Sequence, residues 1–354
     1  TVDGMTGSAR ISFAPVIHTG GSKTQLAGSG NGNPGIQGAQ IDTREVVANL
    51  SGAFGEVSFG RTLSLFGRNA ILNDMTLFGV GLVPGGDQFG SVTFGRVGVG
   101  YTYPDFAARF QYTTPVVNGF QMAVGIFDPS TISVNNALIS NVGGASFGGL
   151  LNKTNKPRFE AEASYSTAFT NGTFKAWVDG LWQDVESSCA GSSGITLLNG
   201  GAPVQCGNVV ARAWGAGMKA GYMGFELTGY YHQDEGLGEM TQFGPDAFYI
   251  DAGGNIRERK GDGYYVQGTY TFMGKTKLGV SYGEGNLDSL GLLQTASAGA
   301  SGHVERSMWT VGVYHDVSSW LRLIAEYNRG ELNNHDGLHA PKADTFSVGS
   351  FLFW

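Results

Sequence analysis

Few side chains in this sequence are spaced to do bond-making chemistry. His232-Gln-Asp234-Glu235 sets an imidazole beside two carboxylates, the start of a general-base site. No nucleophile can be placed next to it, so hydrolysis is not expected. His335 and His339 stand four residues apart, but in a turn-rich segment where that spacing carries no helical geometry, so no metal site is expected there. Asp234, Glu235 and Glu239 could hold Ca²⁺, although such loop acids are more often simply solvated. Gly28-Ser-Gly-Asn-Gly-Asn-Pro-Gly35 has neither a lysine nor a following helix and reads as a loop, with no phosphate cradle. Cys189 and Cys206 share one Gly/Ser-rich connection, with no His or third Cys nearby. In an exported protein they are expected to pair, closing a loop of about seventeen residues and adding about 3 kcal/mol. No other cofactor is expected.

The elements that must carry these residues are strands. The chain has 354 residues, 58 of them Gly, with 14% charged and 41% hydrophobic residues. No run of eighteen apolar residues exists, so no transmembrane helix is expected. Segments of about ten residues instead alternate apolar with polar or small residues, and turn residues separate them. Short connections, such as Thr170-Asn-Gly172 and Met273-Gly-Lys275, take turns with long polar ones, such as 128–157 and 235–261. That pattern is the signature of an all-β, antiparallel transmembrane barrel; a soluble propeller is the alternative. The net charge of −7 argues against nucleic acid as a partner.

Each strand can be phased. Phe106, Ala108, Phe110 and Tyr112 oppose Arg109, Gln111 and Thr113. Phe159, Ala161 and Ala163 oppose Arg158, Glu160 and Glu162, and Leu323, Ala325 and Tyr327 oppose Arg322, Glu326 and Asn328. Carboxylates and arginines on the minority face suit a wet lumen with the apolar face in lipid. Trp177 is the one large aromatic phased inward. Arg10 and Arg109 point inward by the same rule. So does Arg96, if Gly95 is a bulge between two phases of a strand over Ser91–Tyr103. Between Arg61 and Ser91 the alternation lapses for about thirty residues. A connection of that length is usually functional. Its Phe and Leu content is too high for a solvated loop, so we place it inside the barrel.

Arg44-Glu-Val-Val-Ala-Asn-Leu-Ser-Gly-Ala-Phe-Gly-Glu-Val-Ser-Phe-Gly-Arg61 resembles the strand–turn–strand that precedes the third loop of the trimeric general porins of Gram-negative outer membranes. Asn73-Asp74-Met75 and Gly85-Gly86-Asp87 are similar to the acidic part of that loop, and Phe94-Gly-Arg96-Val-Gly to the strand leaving it. Tyr112-Thr-Thr-Pro115 and Gly119-Phe-Gln resemble a family turn. Thr345-Phe-Ser-Val-Gly-Ser-Phe-Leu-Phe-Trp354 resembles the terminal aromatic strand, with Trp where Phe is usual.

The resemblance implies a sixteen-strand barrel, of which 14 to 15 strands fall in this chain, read as a single domain over 1–354. Only three strands precede the inserted loop where the family has five, so two N-terminal strands are expected to be missing, together with the export signal ahead of Thr1. It implies a constriction loop at 62–90 carrying Asp74 and Asp87, facing Arg10, Arg44, Arg96 and Arg109 on the wall. Facing rings of opposite charge order water and penalise apolar solutes. Arg61 and Arg68 read as anchors. It further implies a homotrimer in the outer membrane, in contact with lipid and lipopolysaccharide, passing small hydrophilic solutes. A sugar- or anion-selective channel and a rim hydrolase are the alternatives, with a plugged structural barrel the last. Arg61, Arg68, Arg96 and Arg109 against Asp74, Asp87 and Asp105 lean towards anions.

Overall fold

The structure, a computed structural model, describes residues 4–16, 40–81, 95–130, 156–186, 207–244, 246–251, 255–289, 303–333, 335 and 340–353. Fourteen strands form one sheet: β1 (Thr6–Val16), β2 (Gln40–Gly52), β3 (Gly55–Leu63), β4 (Phe106–Thr113), β5 (Phe120–Phe127), β6 (Arg158–Phe169), β7 (Gly172–Glu186), β8 (Asn208–Tyr222), β9 (Phe225–Glu235), β12 (Lys260–Phe272), β13 (Thr276–Leu287), β14 (Val304–Asp316), β15 (Leu321–Asn333) and β16 (Lys342–Leu352). Each pairs antiparallel with its neighbour in sequence, except that β9 pairs with β12 across a small hairpin, β10 (Phe248–Ile250) with β11 (Ile256–Glu258). One short helix, α1 (Arg68–Asn73), lies in the connection from β3 to β4.

The tight turns form where left-handed backbone is tolerated. Asn171 and Gly224 have φ of 61° and 89°, in the turns joining β6 to β7 and β8 to β9. The two faces of the sheet separate by chemistry. Phe110, Phe159, Val266, Val311 and Leu323 are exposed on the outer face, whereas Gln111, Glu160, Gln267, Thr310 and Glu326 are buried on the inner one. Outward aromatics form a row across five strands. Trp309 packs on Tyr282 at 4.7 Å, Tyr282 on Tyr264 at 6.1 Å, and Trp214 on Tyr231 at 5.7 Å. A second set, Phe225 with Tyr270 at 4.3 Å and Phe120 with Tyr165 at 4.6 Å, lies by the short turns. Tyr264 and Tyr270 are six residues apart on β12, roughly 20 Å of strand, the spacing of two aromatic girdles around an apolar band.

The sheet is curled into a transmembrane barrel. One inserted connection touches inner residues of strands eight places apart in the order: Leu65 N–H donates to Glu160 on β6, and Phe78 packs against Phe351 on β16. Only a wrapped sheet brings both within reach.

The phases assigned from sequence hold on β4, β6 and β15, and Trp177 is inward and buried. One strand does not exist as expected. Residues 95–103, the described part of Ser91–Tyr103, form turns and isolated bridges, with Val97 bridging Tyr101. Gly95 and Gly98 hold φ of 58° and 73°, which breaks the alternation and folds Val97, Val99 and Tyr101 into the core. The connection from β3 therefore reaches Asp105, beyond the expected 62–90, and β3 itself extends through Leu63. Cys189 and Cys206 lie outside the described residues.

Candidate pore constriction

The described parts of the inserted segment, 64–81 and 95–105, are held against the inner wall by a series of polar anchors. At its start, the Glu160 carboxylate accepts the N–H groups of Leu65 and Phe66 at 2.7 and 2.9 Å. Arg68 on α1 pairs with Glu162 at 2.7 Å, and Lys175 donates to Asn69. In the middle, Tyr265 donates to the Ala70 carbonyl at 2.8 Å. Gln267 accepts from Met75 N–H at 2.9 Å and donates to the Asn73 carbonyl at 2.7 Å. Further along, Glu326 accepts the N–H groups of Val80 and Gly81 at 2.8 and 2.7 Å and the Tyr314 hydroxyl at 2.6 Å. Two wall carboxylates thus each take up two consecutive backbone donors that would otherwise be buried unpaired.

Apolar packing completes the seat. Ala70, Ile71, Val97, Val99 and Tyr101 from the segment cluster with Trp177, Tyr230, Tyr265 and Met308 from the wall. Each large side chain so buried contributes about 1.5–3 kcal/mol. The inner face of β13 is nearly smooth, carrying Gly279, Ser281, Gly283 and Gly285. A Cβ on Gly285 would stand 2.5 Å from the Gly98 carbonyl oxygen, and one on Gly283 would fall on that of Val99.

Of the six residues expected at the constriction, the five described ones are not brought together as facing rings. Arg10 is on the wall, largely exposed, and pairs with Glu45 at 2.7 Å; Glu45 also accepts from Ser12 and Thr62. Arg109 is on the wall and donates to the Leu63 carbonyl, its guanidinium 5.6 Å from the Phe127 ring centroid. Arg44 sits where the β1–β2 register skips a residue, 5.9 Å over the Phe106 ring.

Arg96 corrects the expectation. It belongs to the inserted segment and is fully buried, beside Asp74 of the same segment, and donates to the Met308 carbonyl at 2.5 Å. Asp74 is buried too, accepting from Tyr101 O–H at 2.8 Å and from the Thr76 N–H and hydroxyl at 2.8 Å. Burial lowers the Arg96 pKa, opposed by the Asp74 charge. Burial, then the Asp74 charge, raises that of Tyr101 well above 10. Arg96 and Asp74 lock the segment's fold and do not face each other across a gap. Asp87 lies outside the described residues.

The connection from β9 to β12, expected to be a solvated polar loop, is a second cover. Leu237, Phe243, Ala247, Phe248 and Ile256 pack on inner-wall Leu181, Val185, Val209 and Ala211 and on Phe66. Tyr103 N–H donates to the Met240 carbonyl at 2.8 Å, joining the two connections. The apolar residues spaced through 237–256 were the available signal. The three acids weighed as possible Ca²⁺ ligands diverge: Asp234 lies 3.5 Å from His232, Glu235 pairs with Arg212, and Glu239 with Arg306.

What stays accessible on the inner face is mostly cationic. Lys219 and Lys277 share Glu226, at 2.9 and 3.7 Å, and Lys175 stands 5.9 Å over the Trp177 ring. Sequence phasing did not single out these lysines: β8 and β13 each carry only two charged residues, one of each parity, so charge marks neither face.

A family model described as Gram-negative porin matches residues 2–335. Among solved structures, the outer membrane channel DcaP of Acinetobacter baumannii shares 12% identity and a TM-score of 0.57, with 100% of this chain and 99% of that chain covered. OmpF of Salmonella typhi, in complex with daunomycin, shares 13% and a TM-score of 0.53, with 99% and 86% covered. At those identities the likeness is one of fold. No curated protein sequence matches. An apolar outer face between aromatic rows, a polar inner face and a family match over nearly the whole length lead to one conclusion: the chain belongs to the Gram-negative porin family and is an outer-membrane channel for diffusion.

Proposed function

We propose that this channel passes small hydrophilic solutes and ions passively, with a preference for anions. The carrying observation is the charge balance on the accessible inner face. Arg10 and Arg68 are each matched by a carboxylate, Glu45 and Glu162. Lys219 and Lys277 have one carboxylate between them, and Lys175 and Arg109 hydrogen-bond neutral partners. Asp179 and Glu326 are buried away from solutes and Asp316 pairs with Arg322, while half-buried Glu56 on β3, which accepts from Ser58, offsets part of the excess. A positive excess along the path raises the local anion concentration.

Catalysis is not part of the reading. His232 and Asp234 are buried, the Phe66 ring packs edge-on to His232, and among the described residues no hydroxyl hydrogen-bonds the imidazole. The aromatics that could guide a sugar, Trp177, Tyr230 and Tyr265, lie beneath the inserted segment, which speaks against a sugar path. Exposed outer-face side chains such as Phe110, Phe120, Phe346 and Val348 support lipid contact and a homotrimer. Lipopolysaccharide would meet the rim at the long loops.

The test is the reversal potential of the purified protein in a planar bilayer under a KCl gradient. Anion preference is expected, moving towards K⁺ in Lys219→Glu and Lys277→Glu. A cation-preferring wild type would overturn the selectivity, and a folded barrel without conductance would overturn the channel.

A further inference from the structure

Histidines far apart in sequence meet at the end of the barrel that carries the long loops. β14 and β15 pair in the register Glu305↔Asn333, so the residues flanking these strand ends, His303 and His335, are brought side by side. Their rings stand 4.3 Å apart, edge to face. Glu305 joins them, its Oε2 lying 3.2 Å from Nε2 of His335. One potential ligand atom from each of the three residues lies within 4.8 Å of the others, and among the described residues this is the one such His/Cys/Asp/Glu group. His303 and Glu305 are half-buried and His335 is exposed, so solvent reaches the group.

We propose that His303, Glu305 and His335 form a binding site for a late first-row divalent transition metal, with Zn²⁺ the best fit. Two imidazoles and one carboxylate are a ligand set that Zn²⁺ takes readily, with water in the fourth position. Imidazole nitrogen disfavours Ca²⁺ and Mg²⁺, which want oxygen donors. Ligand atoms around a tetrahedral ion with bonds of about 2.0–2.1 Å stand roughly 3.3 Å apart. The Glu305–His335 pair already meets that spacing, and the remaining pairs, within 4.8 Å, close by at most about 1.5 Å through side-chain movement at a solvent-facing site. Longer loops mark the outer side of such barrels, so the site samples the external medium and ties the outer ends of two wall strands together. Sequence spacing hid it, because His335 points to His339 in the sequence but to His303 and Glu305 through strand pairing.

The experiment is calorimetric titration of the chelator-treated, detergent-solubilised full chain with Zn²⁺ at neutral pH, with folding checked by circular dichroism. One ion per chain is expected, and excess Ca²⁺ should not compete. Co²⁺ in place of zinc should give the visible absorption of a nitrogen/oxygen tetrahedral site. His303→Gln and His335→Asn should each abolish binding; asparagine suits the left-handed backbone of His335, whose φ is 49°. His315→Ala, near the short turns and hydrogen-bonded to Thr276, should bind as the wild type does. A wild type that takes up no Zn²⁺ overturns the proposal, as does undiminished binding in folded His303→Gln and His335→Asn. Displacement of the ion by Ca²⁺ would also overturn it.

Discussion

Glu326 is the anchor whose loss should be audible in the current. Its carboxylate receives three donors: the N–H groups of Val80 and Gly81 at 2.8 and 2.7 Å and the Tyr314 hydroxyl at 2.6 Å. Hydrogen bonds to a charged group are worth about 1.5–3 kcal/mol each. The three form one network and do not add, and water can replace part of the loss. Glu326→Ala is therefore expected to weaken this attachment by about 3 kcal/mol. At tenfold per 1.4 kcal/mol, the detached population rises by about a hundredfold. Val80 and Gly81 would leave the wall while Glu160 still holds Leu65 and Phe66, so the segment swings from its first anchor. Single-channel recordings should show added open-channel noise and excursions to higher conductance. Hydrogen exchange at Val80 and Gly81 should speed up in parallel. Glu326→Gln keeps an acceptor oxygen without the charge and should fall between. If Glu326→Ala is as quiet as the wild type and both amides stay protected, the segment is held by its apolar seat alone, and the anchoring account is wrong.

Three further perturbations test the same frame. Gly283→Val would drive a side chain into the Val99 carbonyl and should expel the 96–101 turn, which protease sensitivity of that turn in an otherwise folded barrel would report. Burial and Asp74 raise the Tyr101 pKa, so the stabilisation from its protonated hydroxyl is complete below about pH 10 and is lost as pH climbs towards the raised value. Tyr101→Phe should cost about 1–2 kcal/mol at neutral pH yet push alkaline release of the segment to higher pH, read by hydrogen exchange; an unchanged alkaline midpoint would count against it. Burial likewise raises the Glu239 pKa, outweighing Arg306. The 236–244 connection should then be most firmly seated in acid and loosen as pH rises from about 4.5, with Glu239→Gln removing the dependence in pH-stepped proteolysis.

Strand existence and facing were legible because a barrel wall imposes a period of two on every residue. Phe159 against Glu160, or Tyr327 against Glu326, cannot be exchanged without placing a carboxylate in lipid. What could not be read was anything set by contact across the lumen. Arg96 follows a glycine and precedes alternating valines, so it reads as a wall residue. Only the turn made by Gly95 and Gly98, and the hydrogen bond of the buried guanidinium to the Met308 carbonyl, assign it to the inserted segment. Glu160 and Glu326 were correctly phased inward, but their partners are backbone N–H groups 95 and about 246 residues away in sequence, and a backbone donor leaves no trace in residue type.

The inner face of β13 shows how a wall can encode what crosses it. Strand propensity favours branched and aromatic side chains, and the outward positions Leu278, Val280 and Tyr282 follow that preference. The inward positions Gly279, Ser281, Gly283 and Gly285 do not, and a lumen lined by water would not require such smallness. Backbone approaching backbone does require it: the carbonyls of Gly98 and Val99 occupy the space where Cβ atoms of Gly285 and Gly283 would stand. Weakening one strand with glycine is offset by the burial of Val97, Val99 and Tyr101 against its neighbours. A run of small residues confined to one face of a barrel strand therefore marks where an inserted segment lies. The same test applied to Glu326, a carboxylate facing Gly79 and Gly81, locates the segment's next attachment.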